Sequence, residues 1–307
     1  MGQFILKRLL DTLPVLFGVT VLVFLLLKLV PGDPVVALLG EDVQGMSGEQ
    51  LAKLRQDYGL NDPWLVQYGR FLQEFFTGQL ASMKTGNSVL TEILQRFPYT
   101  MLLTTIALSL SVLVAIPLGI SAALKKDSWW DSVVTTVSLL GISIPSFWFA
   151  IMVMLLFSLQ LGWLPASGSG TWAHLVLPAA TLAFGTLAVQ IRMMRASLLE
   201  VLPQDYVRTA RAKGLPPRQV LRHALRNALI PVVTIIGLEF GSLLGGAAIT
   251  ESIFAWPGMG RLALDAVLSR DIPLVQGVAV FAALIFTLVN LLVDILYGVL
   301  NPKVQYG

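Results

Sequence analysis

Six stretches of this chain are apolar for about twenty residues or more, which restricts it to a fold built in a membrane. They run over 9–30, 99–124, 133–161, 175–194, 229–250 and 274–300. Where lipid replaces water, a single segment satisfies its own backbone hydrogen bonds only as a helix. The expectation is an all-α integral membrane protein with six transmembrane helices. Charge is correspondingly scarce, at 13% of 307 residues, about half the roughly 25% usual in soluble domains. Prolines inside the runs, as at Pro14, Pro117 and Pro145, are expected to be tolerated, because neighbouring groups re-satisfy a freed carbonyl. The rival reading of the first run is a cleaved signal peptide. Its length, and an exit through Lys28 to Pro34 with no small-x-small site, favour retention.

Orientation follows from Lys and Arg in the short flanks. One side collects Lys7, Arg8, Lys125, Lys126, Lys303 and the stretch from Arg192 to Arg226; the other side's short loops hold only Arg261 and Arg270. Both termini are therefore expected in the cytoplasm, with a long extracytoplasmic segment between the first and second spans. Trp129 and Trp130 suit one interfacial belt, and Trp163, Trp172 and Trp256 the other. Three parts follow: an N-terminal helix (1–30), an extracytoplasmic subdomain (31–98) and a five-helix core (99–307) with a cytoplasmic loop at 196–230. In the outer segment, Ser47 reads as the cap of a short helix to Tyr58, and 65–77 as an amphipathic helix ending near Gly78.

Catalytic chemistry is missing. With no cysteine, disulfides, iron–sulfur clusters and thiolate sites are excluded. His174 and His223 are expected on opposite sides of the membrane and serve no common site. Neither a zinc-protease nor a phosphate-loop motif occurs. Ser47 in Gly45-Met46-Ser47-Gly48 is better read as a cap than as a nucleophile, and Gly141-Ile142-Ser143-Ile144-Pro145 departs from G-x-S-x-G at its last position. No catalytic, cofactor or metal residue is expected, and a net charge of +3 is too small to suggest nucleic acid. Glu239 and Asp294 are the main ionisable groups in the spans. They leave an ion-coupled secondary transporter or a channel as an alternative.

The most informative stretch is 202–231, LPQDYVRTARAKGLPPRQVLRHALRNALIP. Pro203 and Asp205 suit a helix start, and Arg211, Lys213 and Gly214 a helix end. Tyr206, Thr209, Ala210 and Lys213 fall along one face, where the small side chains would let another protein approach. After Leu215-Pro216-Pro217, Arg218, Arg222 and Arg226 stack at i+4 intervals opposite Val220, Leu221, Ala224, Leu225 and Ala228. That second helix suits the membrane surface. An anchor for anionic lipid would account for the charge, but not for a capped helix with a small-residue face.

The run Tyr206-Val207-Arg208-Thr209-Ala210-Arg211-Ala212-Lys213-Gly214, followed by Arg226-Asn227-Ala228-Leu229-Ile230-Pro231, resembles the EAA loop of binding-protein-dependent ABC importer permeases. It looks most like the B-type subunit of the dipeptide/oligopeptide/nickel branch. Arg208 and Thr209 stand where the general consensus has Glu and Ala, and the loop is longer, as that branch has it. Similarity extends to Phe4–Leu10, Leu29–Pro34, Tyr58–Pro63, Gly141–Pro145, Leu161–Pro165, Glu251–Gly260 and Asn301-Pro302.

The resemblance implies a permease core of ABC type I importer kind and a coupling helix over 203–214 that docks on a cytoplasmic ATPase through Asp205, Tyr206, Arg208, Thr209, Ala210, Lys213 and Gly214. Its partners would be a paralogous second permease, two ATPase subunits that bind ATP and Mg, an extracytoplasmic solute-binding protein and the lipid of a bacterial inner membrane. Peptide is the expected solute, with nickel or glutathione as alternatives. Gly237, Gly241 and Gly245 form a doubled G-x-x-x-G spacing for helix packing, the second permease being one candidate neighbour. Glu239 is either paired structurally or faces the path. The resemblance places Glu251, Phe254 and Trp256 at an outer gate or a contact with the binding protein.

Overall fold

The computed structural model describes residues 2–29, 46–57 and 59–300. Its helices are α1 (Gly2–Leu29), α2 (Gly48–Asp57), α3 (Trp64–Thr77), α4 (Val89–Leu124), α5 (Trp129–Ser143), α6 (Ser146–Met154), α7 (Trp172–Val201), α8 (Asp205–Ala212), α9 (Pro217–Gly246), α10 (Ala248–Ile253), α11 (Met259–Leu268) and α12 (Ile272–Leu300). Among the described residues the only pairing of β type is an isolated bridge between Ala81 and Ser88. The expected exit turn at 31–34, Tyr58, Asn301-Pro302 and Lys303 lie outside the described residues.

Among the described residues, four helices are long and apolar enough to cross a membrane: α4, α7, α9 and α12. In α1 the apolar helical stretch is Leu9–Leu25. The third apolar run is not one straight span. α5 and α6, the latter extended by a π-helical turn over Leu155–Gln160, meet at 97°. Pro145 is the cause: it caps α6 with ψ 133°, and Ile144 before it is extended at φ −84° and ψ 122°. A residue preceding proline is pushed out of the helical region, so the helix ends there. Pro14 and Pro117, by contrast, sit inside continuous helices as expected.

α7 is the axis of the core. Of its most apolar stretch 61% is buried, against 22% for α9 and 11% for α12, so those two leave most of their surface outward. The α4–α7 seam sets small residues of α4 against α7: Ala107 clusters with Ala179, Ala115 and Ala122 cluster with Ile191, and Ser111 bonds Gln190. Small side chains let helix backbones approach where water supplies no hydrophobic drive. At Gly119 a Cβ would lie 2.7 Å from that of Met194.

From α3 onward the outer segment packs on the core. α4 starts at Val89, so a boundary at 98/99 falls inside a helix. Phe71 and Phe75 of α3 share one cluster with Phe24 of α1, Val89 and Ile93 of α4, Met259 and Leu262 of α11 and Leu274 and Val278 of α12. Burying an aromatic or aliphatic side chain of this kind contributes about 1.5–3 kcal/mol, which ties the segment to the core. Buried Asp271 adds a polar staple, accepting from the Ser82 hydroxyl and from the amides of Met83 and Lys84 at 3.2 and 3.3 Å. The two short helices form as expected. Ser47 and Gln50 cap α2 reciprocally, amide to side chain at 2.8 and 3.3 Å, the capping-box arrangement. α3 ends on Gly78 at φ 74°, a left-handed position that glycine takes without steric cost.

Candidate coupling site

After α7 ends at Val201, Pro203 and an extended Gln204 interrupt the helix, and α8 starts at Asp205. Asp205 in its first turn and Arg211 in its last both suit the helix dipole. Gly214, at φ 75°, reverses the chain and donates its amide to the Arg211 carbonyl at 2.9 Å. Pro216 is extended and Pro217 opens α9. The expected helix over 203–214 is thus the shorter 205–212, with the flanking residues serving as its stops.

α8 has a buried side and an exposed side. Val207 and Ala210 are buried against Met194, Leu198 and Val201 of α7, Val220 and Ala224 of α9, and Ala123 at the end of α4. This corrects the docking face expected from sequence: Ala210 is part of the helix's seat. Tyr206 also turns toward its own chain, its hydroxyl accepting from Asn227 Nδ2 at 2.7 Å. Outward lie Asp205, Arg208, Thr209, Arg211, Ala212, Lys213 and Gly214. Arg208 and Asp205 pair loosely at 3.8 Å with side chains 73% and 98% exposed, so both remain available to a partner. Arg211, read from sequence only as a helix-end charge, joins this outward side. On α9, Arg218, Arg222 and Arg226 are exposed opposite buried Val220, Ala224 and Ala228, as the i+4 spacing requires.

Within the spans, Gly237 and Gly241 pack inside this chain. A Cβ on Gly237 would strike Val293 of α12, and one on Gly241 would lie 3.1 Å from Phe286, while Gly245 faces open space. The doubled spacing therefore serves α9–α12 packing within this chain at two positions. Glu239 is spoken for: Gln190 Nε2 donates to its Oε2 at 2.6 Å, and Ser111 Oγ donates to Gln190 Oε1 at 3.0 Å. That chain joins α4, α7 and α9, and neither Ser111 nor Gln190 stood out in sequence.

Glu251, Phe254 and Trp256 do not line an outer mouth. All three are buried. Glu251 accepts from the Thr100 hydroxyl at 2.7 Å and the Arg261 amide at 2.9 Å, while Thr100 in turn accepts the Met259 amide at 2.8 Å. Burial pushes the Glu251 carboxyl above the usual carboxylate range, and these donors oppose that rise. Gly258 and Gly260 approach the carboxylate so closely that a Cβ at either would crowd it. Trp256 donates to the Tyr99 carbonyl at 3.1 Å and packs with Leu103, Leu175 and Leu182. It therefore leaves the interfacial belt, in which Trp163 and Trp172 remain exposed. Phe254 packs on Ala150 and Leu177. His174 and His223 have local partners, Thr171 and the Gln219 carbonyl.

A bundle of apolar helices with a seated, outward-facing helix in its longest basic loop defines the class: a membrane-embedded permease component. The comparisons agree. Residues 115–306 match the binding-protein-dependent transport system inner membrane component family, and residues 1–104 match the N-terminal region of such membrane components. The chain belongs to this family and is an inner-membrane permease of an ABC importer. It is 42% identical over its whole length to a putative peptide transport system permease protein of Brucella abortus (strain 2308), also covered completely. It is 43% identical to the glutathione transport system permease protein GsiC of Pectobacterium atrosepticum, with full coverage of both chains. Among solved structures, the inward-facing MetNI methionine ABC transporter matches with a TM-score of 0.59 at 18% identity, over 69% of this chain and 97% of that one. That likeness supports the fold.

Proposed function

We propose that this permease moves short peptides inward across a bacterial inner membrane, with α8 as the helix through which ATPase subunits drive it. The observation that carries the coupling role is the two-sided packing of α8. Val207 and Ala210 root it in the ends of α4, α7 and α9, so a displacement imposed from outside reaches three spans together. Asp205, Arg208, Thr209, Arg211, Lys213 and Gly214 form the contact surface for the ATPase. This reading places the loop and both termini in the cytoplasm, in line with the distribution of Lys and Arg. ATP and Mg belong to two partner subunits, since this chain has no phosphate-binding motif. A paralogous second permease and an extracytoplasmic binding protein complete the assembly.

Peptide is preferred as solute because full-length relatives are named for peptide and glutathione transport, glutathione being itself a small peptide. Co-purification with two ATPase subunits, and ATP hydrolysis stimulated by a peptide-loaded binding protein, is the expected result. Ion-driven flux by the purified chain alone would overturn it.

A further inference from the structure

The groove between α5 and α7 has no role in the coupling just described. It encloses about 550 Å³ and is lined by Thr135 and Ile142 of α5 and by Val189, Arg192, Met193 and Arg195 of α7. Ile142 and Val189 are 48% and 38% exposed, so its apolar part opens outward. At 1.5 Å per residue Arg192 lies about 30 Å along α7 from Trp172, roughly the thickness of the hydrocarbon core. With exposed Trp172 at one interface, Arg192 and Arg195 fall at the headgroup level of the other.

The two arginines differ in a useful way. Arg195 is fixed by buried Asp131, Nε to Oδ1 at 2.5 Å and the terminal nitrogen to Oδ2 at 2.7 Å. A guanidinium has five N–H donors, so this fork leaves three for another oxygen ligand. Asp131 offsets the charge of Arg195, and the nearby Asp127 is paired with Lys126 at 3.9 Å. Surplus positive charge at the groove therefore comes from Arg192, which is exposed and forms no ion pair among the described residues.

We propose that this groove holds an anionic phospholipid, its phosphate on Arg192 and the free donors of Arg195, and an acyl chain along Ile142, Val189 and Met193. The inference rests on the orientation given above, which puts this end at the cytoplasmic leaflet. Basic pockets between spans on that side suit acidic headgroups. The adjoining apolar trough selects a lipid over a free phosphate, and the surplus charge of Arg192 selects an anionic lipid over a zwitterionic one.

The test is native mass spectrometry of the whole transporter, purified in mild detergent and titrated with phosphatidylglycerol, phosphatidylcholine or inorganic phosphate. Phosphatidylglycerol is expected to be retained over phosphatidylcholine, and Arg192→Gln to lower its retention by about fivefold, the weight of one basic residue at an anionic surface. Ala196→Trp, at an exposed position on the same rim, should lower retention of both lipids. Equal retention of the two lipids, or competition by inorganic phosphate, would overturn the proposal. None of these outcomes depends on ATP hydrolysis, so the lipid site and the importer reading fail separately.

Discussion

At one end of the bundle, α8 buries Val207 and Ala210 and turns Asp205, Arg208, Thr209, Arg211 and Lys213 outward. At the opposite end, the turn from Glu251 to Gly260 buries Glu251, Phe254 and Trp256 together. Both regions carry motif residues of the family resemblance, yet they use them differently. Outward residues on a rooted helix are free to meet a second protein. Inward residues around a buried carboxylate hold α4, α7, α10 and α11 in place. A motif thus marks a place in the fold, and burial decides whether it acts on a partner or on its own chain.

Substitutions at the outer turn should cost stability first. Trp256→Ala removes a buried indole from among Leu103, Leu175 and Leu182 and should destabilise the permease by about 3–5 kcal/mol, read as a lowered thermal midpoint of the purified complex. A midpoint within error of the parent would mean that Trp256 is not the internal fastener described. Next comes Ala210→Arg, which forces a long charged side chain into the seat of α8. Overpacking alone should cost about 1–3 kcal/mol, and coupling should fall with it. Were Ala210→Arg to unfold like the parent, Ala210 would belong to the exposed side.

Gly237→Leu sharpens the same comparison within the spans. It drives a side chain into Val293 and should cost about 1–3 kcal/mol, whereas Gly245→Leu, facing open space, should stay within roughly 0.5 kcal/mol. Equal effects in denaturant titrations would remove the distinction between the two glycines. A smaller loss than that of Gly237→Leu is expected from Tyr206→Phe. Losing the hydrogen bond to Asn227 should cost about 1 kcal/mol or less, measured by the same titration.

Helix positions were legible because runs of apolar residues bounded by charge leave few alternatives in lipid. The stop at Pro145 was less so. Residues on both sides of it are apolar, and hydropathy does not distinguish a bent pair from one long span. The seat of α8 could be placed on a face by periodicity, but which face meets the protein depends on Met194, Leu198, Val220 and Ala224 from two other helices. Charge was the most misleading signal. Arg195 counts toward the positive-inside bias, yet its partner is Asp131, 64 positions away, and no local pattern links them. Inversion of the outer turn was hidden for a similar reason. Ala255 sits at φ 49°, an uncommon conformation for a residue with a Cβ, and sends Phe254 and Trp256 into two different clusters.

The central claim is that the exposed side of α8 transmits ATPase motion while its buried side only supports it. Thr209→Trp tests it most directly, because Thr209 is exposed and its hydroxyl bonds only the Asp205 carbonyl of its own helix. In the reconstituted complex, peptide import should fall at least about tenfold while the permease's thermal stability changes by less than roughly 0.5 kcal/mol. Import at the parent rate with the indole in place would contradict the account.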